Sequence, residues 1–174
     1  MMKKLSCILL LICSVGKIIN AQTTFVKNIP SADIKTLDGK IINTSKFSND
    51  GKPIIISFWA TWCKPCKKEL DAISEKYEDW NKQTGVKIIA VSIDDARSAL
   101  KVGADVKSKD WPYDIYIDEN QDFKRAMSVN AIPHTFIIDG KGNIVWQHNS
   151  YAEGDEDILF EAVKKVAAGE APKE

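Results

Sequence analysis

Hydrophobic residues along this chain form runs and periodic patterns that predict alternating strands and helices. Residues 54–60, IIISFWA, are a continuous run rich in β-branched and aromatic residues, preceded by Gly-Lys-Pro, which is typical of a strand buried on both faces. Beyond position 63, apolar residues recur at intervals of three and four as far as Gly85, namely Leu70, Ile73, Tyr77 and Trp80. We therefore expect a central strand that leads into a long amphipathic helix.

Further segments continue this alternation toward the C-terminus. Strands are predicted at 86–94, 113–118, 135–139 and 143–148, the last two joined as a hairpin across Gly-Lys-Gly. A weaker helix is predicted at 95–109. The final helix is predicted from about 155 to 168, with one apolar face made of Ile158, Leu159, Ala162, Val163 and Val166. Upstream of the central strand, Asp38-Gly39 lies between two short runs in the manner of a β-hairpin.

The order of these elements predicts the fold class. A hairpin is followed by β, α, β, α, β, a short α, β, β and α, and this alternation indicates an α/β fold. We expect a central mixed β-sheet flanked by helices on both faces, with its parallel units joined by right-handed crossovers. Residues 22–174 are expected to form a single domain that ends in a frayed tail at 169–174.

The N-terminus has the pattern of a secretory signal. MMKK is a short basic region, an almost uninterrupted apolar stretch follows it, and Ala21 is a small residue suited to cleavage. We expect residues 1–21 to be a signal peptide and the protein to be exported to the periplasm. An uncleaved anchor that holds the domain on the periplasmic side of the membrane is the alternative, although the apolar stretch is short for a spanning helix.

Charge and cysteine content narrow the possible functions. The chain has 24 basic and 24 acidic residues, and a net charge of zero argues against a nucleic-acid partner. Removal of the signal would also remove Cys7 and Cys13. The mature chain would then contain only Cys63 and Cys66, which excludes a scaffold held by several disulfides and leaves one pair to explain.

The position of this pair points to thiol chemistry. With a strand ending at Trp62 and a helix starting at Cys63, the first sulfur lies at a helix N-terminus, where unpaired N–H groups and the helix dipole favour a thiolate. Such a position beside Lys64 lowers the pKa of a thiol, so Cys63 is the expected nucleophile. Cys66 lies three residues later on the same helical face, close enough to form a disulfide with Cys63 and expel a bound partner.

The cysteine pair has two alternative interpretations. A zinc site needs two further ligands, and the mature chain offers only His134 and His148, with no second close pair. A static structural disulfide is the second alternative, but so short a loop constrains the unfolded chain little. We therefore expect no metal and no other cofactor.

A resemblance to a known family refines this interpretation. The segment FWATWCKPC resembles the active-site segment of the thioredoxin superfamily. The order of LDGKIINTSKF, GKPIIISFWATWCKPCKKEL and AIPHTFIIDGKGNIV is similar to that of the exported TlpA/ResA-like branch. This resemblance implies a thioredoxin-like fold with an N-terminal β-hairpin extension and an inserted helix and strand. It also implies that Cys63 attacks, that Cys66 resolves, and that a cis-proline loop at Pro133 holds the partner, with Ile132 and Trp62 on the docking surface.

Other positions agree with this family or depart from it. Glu69 matches an acid associated with the active site in the ResA-like pattern CxxCKKE, and a solvated helix position is its alternative interpretation. Ser57 stands where cytosolic thioredoxins carry a buried acid, so Glu69 or water must take the proton of Cys66. His134 replaces a small hydroxyl residue and is interpreted either as a partly exposed polar residue or as a group that tunes the thiolate. Trp59 is predicted to belong to the core.

Together these patterns predict an exported thiol-disulfide oxidoreductase that exchanges its cysteine pair with the cysteines of client proteins. The resemblance favours reduction of clients, as in cytochrome c maturation, with recycling by a membrane thiol reductase. One alternative is a peroxiredoxin-like peroxide reductase, although the Pro-x-x-x-Thr pattern of such enzymes is missing before Cys63. The other is a non-enzymatic exported binding domain that keeps a static disulfide.

Overall fold

A computed structural model describes residues 27–172, so the predicted signal peptide at 1–21 lies outside the described residues. The described part contains eight strands and four α-helices. The strands are β1 Lys27–Asn28, β2 Asp33–Thr36, β3 Ile41–Asn43, β4 Ile54–Trp59, β5 Lys87–Ser92, β6 Asp114–Ile117, β7 His134–Ile138 and β8 Asn143–Asn149. The helices are α1 Lys64–Thr84, α2 Ala99–Lys109, α3 Asp122–Ala126 and α4 Asp155–Ala167.

All eight strands form one mixed sheet in the order β1-β8-β7-β4-β5-β6-β2-β3. β4 lies near the centre, parallel to β5 and antiparallel to β7, and all six of its residues are buried. This confirms the predicted central strand and the mixed sheet. The predicted hairpin is also present, because β2 pairs antiparallel with β3 and joins the sheet through β6. The two-residue β1, which pairs with β8, was not predicted.

Helices cover both faces of the sheet, as predicted. Neighbouring residues of a strand point to opposite faces, and on β4 the ring of Phe58 lies 5.3 Å from that of Phe123 in α3. Trp59, fully buried as predicted, points the other way and packs edge-on against Trp111 at 5.0 Å. This second face carries α1, α2 and α4. Helix α1 is linked to α2 by a salt bridge from Lys67 to Asp105 and to α4 by aromatic stacking.

The junction between β4 and α1 differs from the prediction. The strand ends at Trp59 rather than at residue 62, and the N–H of Cys63 donates to the carbonyl of Ala60 at 3.0 Å to close a turn. Cys63 is therefore the N-cap of α1, and the helix itself begins at Lys64. At the other end, Gly85 adopts φ of 67° and donates its N–H to the carbonyl of Asn81, a left-handed helix end that favours glycine.

The predicted apolar face of α4 needs one correction. Ile158 is 60% exposed. The buried residues of this face are Leu159, Ala162 and Val163, and Val166 is partly buried. Their spacing of three and four residues places all four on one face of the helix. Ile158 is left at the edge of this face. Phe160 packs instead, stacked on Trp80 of α1 at 4.7 Å.

Within residues 27–172, no helix combines the length and the apolar character needed to cross a bilayer.

Candidate active site

Cys63 and Cys66 form a disulfide at the N-terminus of α1. Their Cα atoms lie 5.4 Å apart, and Sγ of Cys63 accepts the N–H of Cys66 at 3.3 Å. Cys63 keeps 5% of its surface exposed, whereas Cys66 is fully buried. A partner molecule that approaches from solvent therefore meets the sulfur of Cys63 first. The N–H group of Cys66 and the positive end of the helix dipole favour the anionic form of the Cys63 sulfur.

The turn that leads into Cys63 is fixed by a buried acid that the sequence analysis did not single out. Asp94 follows β5, accepts the N–H of Thr61 at 2.8 Å and the hydroxyl of Thr61 at 2.7 Å, and also accepts the hydroxyl of Ser92. Lys67 of α1 donates to the carbonyl of Thr61 at 2.8 Å. Because β4 and β5 are parallel neighbours, their carboxyl ends meet at one edge of the sheet. The available signal for Asp94 was a charged residue at the C-terminal end of the predicted strand 86–94.

Glu69 is buried one helical turn beyond Cys66. It is 4% exposed and accepts hydrogen bonds from the hydroxyl of Thr135 at 2.7 Å and from that of Ser57 at 3.1 Å. The interpretation of Glu69 as a solvated helix residue is therefore wrong. Burial raises the pKa of Glu69 from its usual 4.5 to about 7, the two hydroxyl donors oppose the rise, and the charge of Asp155 adds to it. A carboxyl group with this pKa can both accept and release a proton near neutral pH.

This buried carboxyl group makes stability depend on pH in a defined direction. Between its unfolded pKa near 4.5 and its folded pKa of about 7, the folded state binds more protons, so the contribution of Glu69 to stability falls as pH rises through this window. The shift corresponds to about 3 kcal/mol. We expect the free energy of unfolding of the oxidised protein, measured with urea, to fall between pH 4.5 and pH 7. In Glu69→Gln this fall should be smaller by the same amount. Identical losses in the two proteins would contradict a raised pKa.

The proline loop lies beside the end of β4. Phe58 pairs with His134 in the antiparallel register of β4 and β7, which brings Pro133 next to the end of the strand that leads into Cys63. The Ile132–Pro133 peptide bond is cis, as the resemblance implied. Pro133 is buried and Ile132 half-buried, while the side chain of Trp62 is 66% exposed in the turn before Cys63.

His134 is buried, contrary to the interpretation of a partly exposed residue. It is 5% exposed, its ring stacks on Phe136 at 4.2 Å, and Nε2 lies 3.2 Å from Oε1 of Gln147. Burial lowers the pKa of His134, against the effect of the Gln147 hydrogen bond. His134 shares a sheet face with Phe58, whereas the next residue, Thr135, points to the opposite face, where it holds Glu69.

Among the described residues, no three His, Cys, Asp or Glu side chains converge to form a potential metal site.

Comparison with known proteins gives a consistent result. Residues 26–147 match the model of the AhpC/TSA family, and this range includes the cysteine pair, Glu69 and Pro133. The thiol-disulfide oxidoreductase ResA of Bacillus thuringiensis subsp. konkukian (strain 97-27) is 33% identical over 140 residues, which cover 80% of this chain and 77% of that protein.

Two solved structures resemble the present one. A thioredoxin-like protein from Porphyromonas gingivalis, described as uncharacterized, is 48% identical, with a TM-score of 0.73 and coverage of 80% of this chain and 92% of that chain. StoA from Bacillus subtilis is 25% identical, with a TM-score of 0.59 and coverage of 76% and 96%. These similarities confirm the predicted thioredoxin-like fold and the predicted ResA-like relationship.

Proposed function

Since the chain belongs to the AhpC/TSA family and is a thiol-disulfide oxidoreductase of thioredoxin-like fold, we propose that it is an exported reductant of client cysteines. The observation that carries this proposal is the Cys63–Cys66 disulfide at a helix N-terminus, with the buried carboxyl group of Glu69 one turn further along the same helix. Export is supported by the signal-like pattern at 1–21, which we propose is cleaved to release a single domain from residue 22 onward.

The first step is attack on a client disulfide. In the reduced protein, the Cys63 thiolate attacks one client sulfur, the client disulfide breaks, and the other client sulfur leaves as a thiolate. This produces a mixed disulfide between Cys63 and the client. Trp62, Ile132 and Pro133 border this position, and we assign them to the surface that holds the client backbone. The exposed ring of Trp62 is the largest apolar contact that this turn offers to a partner.

The second step releases the client. Cys66 transfers its proton to the carboxylate of Glu69 and attacks the sulfur of Cys63, and the client leaves as its second thiolate. Two electrons have then passed from the cysteine pair to the client, and Cys63–Cys66 is again a disulfide. Because Ser57 replaces the acid of cytosolic thioredoxins, we assign the role of proton acceptor for Cys66 to Glu69, a buried carboxyl group one helical turn away.

Recycling requires an electron donor on the same side of the membrane. We propose a membrane thiol reductase as this donor and exported proteins with paired cysteines, apocytochrome c among them, as clients. The reducing direction is supported by the surroundings of Cys63, since Lys64 is exposed to solvent and the dipeptide between the cysteines contains no histidine. The Cys63 thiolate is therefore stabilised only moderately, whereas a strong oxidant requires a thiolate that is stabilised more strongly.

The peroxide-reducing alternative has its own test. Reduced protein will be mixed either with a synthetic peptide carrying an internal disulfide between two cysteines or with hydrogen peroxide, and oxidation of the pair will be followed by tryptophan fluorescence. We expect the peptide disulfide to oxidise the pair at least about tenfold faster at equal concentration, because the site has a resolving thiol but lacks the Pro-x-x-x-Thr pattern. Faster oxidation by peroxide would favour the peroxiredoxin-like function instead.

A further inference from the structure

A groove of about 750 Å³ runs along the exposed side of α1, directly beside the cysteine pair. One wall is a stripe of α1 side chains, and the other is the connection from β8 to α4. The α1 wall includes Lys64, Pro65, Lys68 and Ala72, and the opposite wall includes Tyr151 and Ala152. On the α1 wall the charged side chains are spaced four residues apart, so they lie one above the other on the helix.

Both walls of the groove start at the proposed client-binding surface. The α1 wall begins with Lys64, the residue directly after Cys63. The opposite wall begins with Tyr151, and the preceding residue, Ser150, donates its N–H to the carbonyl of Pro133 at 3.0 Å. A client held at Cys63 and Pro133 therefore has this groove beside the segment that leads away from its cysteine.

The wall opposite α1 is held in place by hydrogen bonds. The hydroxyl of Tyr151 donates to Oε2 of Glu156 at 2.9 Å, and the N–H of Gly154 donates to the same oxygen at 3.0 Å. Lys76 of α1 contacts the other carboxylate oxygen of Glu156 at 3.2 Å and so ties the two walls together. The groove is therefore formed before a client binds, which lowers the entropic cost of binding.

The charge on the α1 wall is unusual for the start of a helix. Acidic side chains are favoured there, because the helix dipole has its positive end at the N-terminus. The first turn of α4 has three acids, whereas that of α1 has none. Instead, α1 carries Lys64, Lys67 and Lys68 among its first five residues. Lys67 pairs with Asp105. Lys64 and Lys68 are exposed, and neither forms an ion pair within residues 27–172.

The acidic residues of the groove do not neutralise these two lysines. Asp71 pairs with Lys109, and Glu156 is bound by Lys76 and Tyr151 as described above. Glu75 lies about two turns beyond Lys68 on α1. Glu153, on the opposite wall, is exposed and forms no ion pair with any described residue. The two lysines beside the cysteine pair are therefore free to bind an anionic group.

We propose that this groove binds an extended client segment next to the reactive cysteine, and that Lys64 and Lys68 select segments with acidic residues. This inference rests on the proposed exchange of disulfides with client proteins. Side chains four residues apart on a helix are separated by about 6 Å. Side chains at alternate positions of an extended chain are separated by about 7 Å. Two carboxylates at alternate positions of the client thus match the two lysines, while Pro65 and Tyr151 offer apolar contacts to the residue between them.

Peptides with an internal disulfide test this selection. They differ only at two alternate positions on the outer side of each cysteine, which carry Glu, Gln or Lys. Oxidation of the reduced protein will be followed by tryptophan fluorescence at low ionic strength. We expect the Glu peptide to react about fivefold faster than the Gln peptide, and the Lys peptide to react most slowly. In the double variant Lys64→Gln, Lys68→Gln, the rates with the Glu and Gln peptides should become equal.

The ratio of two peptide rates within one protein is the informative quantity, because a change in the reactivity of Cys63 itself cancels in this ratio. The double variant Lys101→Gln, Lys107→Gln is the matched control. It removes two exposed lysines from α2, outside the groove, and should keep the fivefold ratio.

Three results would overturn the selection by the groove. They are equal rates with the Glu and Gln peptides in the unmodified protein, a ratio that survives removal of Lys64 and Lys68, and an equal loss of the ratio in the α2 control. The last result would show attraction by overall charge alone. Neutral hydroxyethyl disulfide has no segment to occupy the groove. If this reagent oxidised the pair while none of the peptides did, the proposed exchange with client proteins would itself be refuted.

Discussion

Cys63→Ser will abolish disulfide exchange completely, while Cys66→Ser will keep the attack and lose the release. The hydroxyl of serine is not ionised near neutral pH and cannot attack a disulfide, so the first variant has no nucleophile at the exposed end of the pair. In the second variant Cys63 still forms a mixed disulfide, but no neighbouring thiol resolves it. The client therefore stays covalently attached.

Non-reducing electrophoresis after incubation with a disulfide-containing protein such as insulin measures both outcomes. Cys66→Ser should accumulate a stable adduct that dithiothreitol removes, and Cys63→Ser should form none. The two variants are matched controls for each other, since each keeps one cysteine of the pair and differs only in which sulfur remains. An adduct on Cys63→Ser, or equal adducts on both variants, would show that the assignment of attacking and resolving cysteine is wrong.

The second large effect is expected from Glu69→Gln. Glutamine fits the same space and can keep contacts with Ser57 and Thr135, but it cannot take a proton from Cys66. We expect the release step to slow by about a hundredfold, within the range typical of general acid-base catalysis, while attack by Cys63 changes much less.

Stopped-flow mixing of the reduced protein with 5,5′-dithiobis(2-nitrobenzoate) separates these steps. The first phase of this reaction reports attack by Cys63, and the second phase reports release of the coloured thiolate by Cys66. Glu75→Gln provides the matched control, since Glu75 lies on the same helix but is exposed, and both phases should keep their rates in that variant. If Glu69→Gln left the second phase unchanged, or slowed both phases equally, Glu69 would have no specific part in release.

The helices and the central strands were predicted correctly from the sequence, because the spacing of apolar residues follows the face that each element buries. The β-branched and aromatic run at 54–59 is typical of a strand covered on both faces, and the spacing from Leu70 to Trp80 is typical of one face of a helix. The end of β4 was predicted three residues too late, because the turn before Cys63 depends on a backbone hydrogen bond that the residue pattern does not indicate. Ile158 was predicted to lie on the apolar face of α4 but is exposed, because α4 has more apolar residues than its buried face accommodates.

The surroundings of the cysteine pair were harder to predict than the pair itself. Glu69 continues the buried stripe of Cys66, Leu70 and Ile73 at spacings of three and four, so its burial had a signal in the sequence. Its partners did not, because Ser57 and Thr135 meet Glu69 only through the register of β4 and β7. The same limit applies to Asp94, whose contact with Thr61 depends on how the parallel strands align.

The reduction potential of the Cys63–Cys66 pair decides whether the pair donates electrons to its clients. Purified protein will be equilibrated with mixtures of reduced and oxidised glutathione, and the fraction of dithiol will be measured by alkylation and mass spectrometry. Because Lys64 is exposed and no histidine lies between the cysteines, we expect a potential well below that of dedicated disulfide-forming proteins. A value near their roughly −120 mV would instead identify the protein as an oxidant and refute electron donation to its clients.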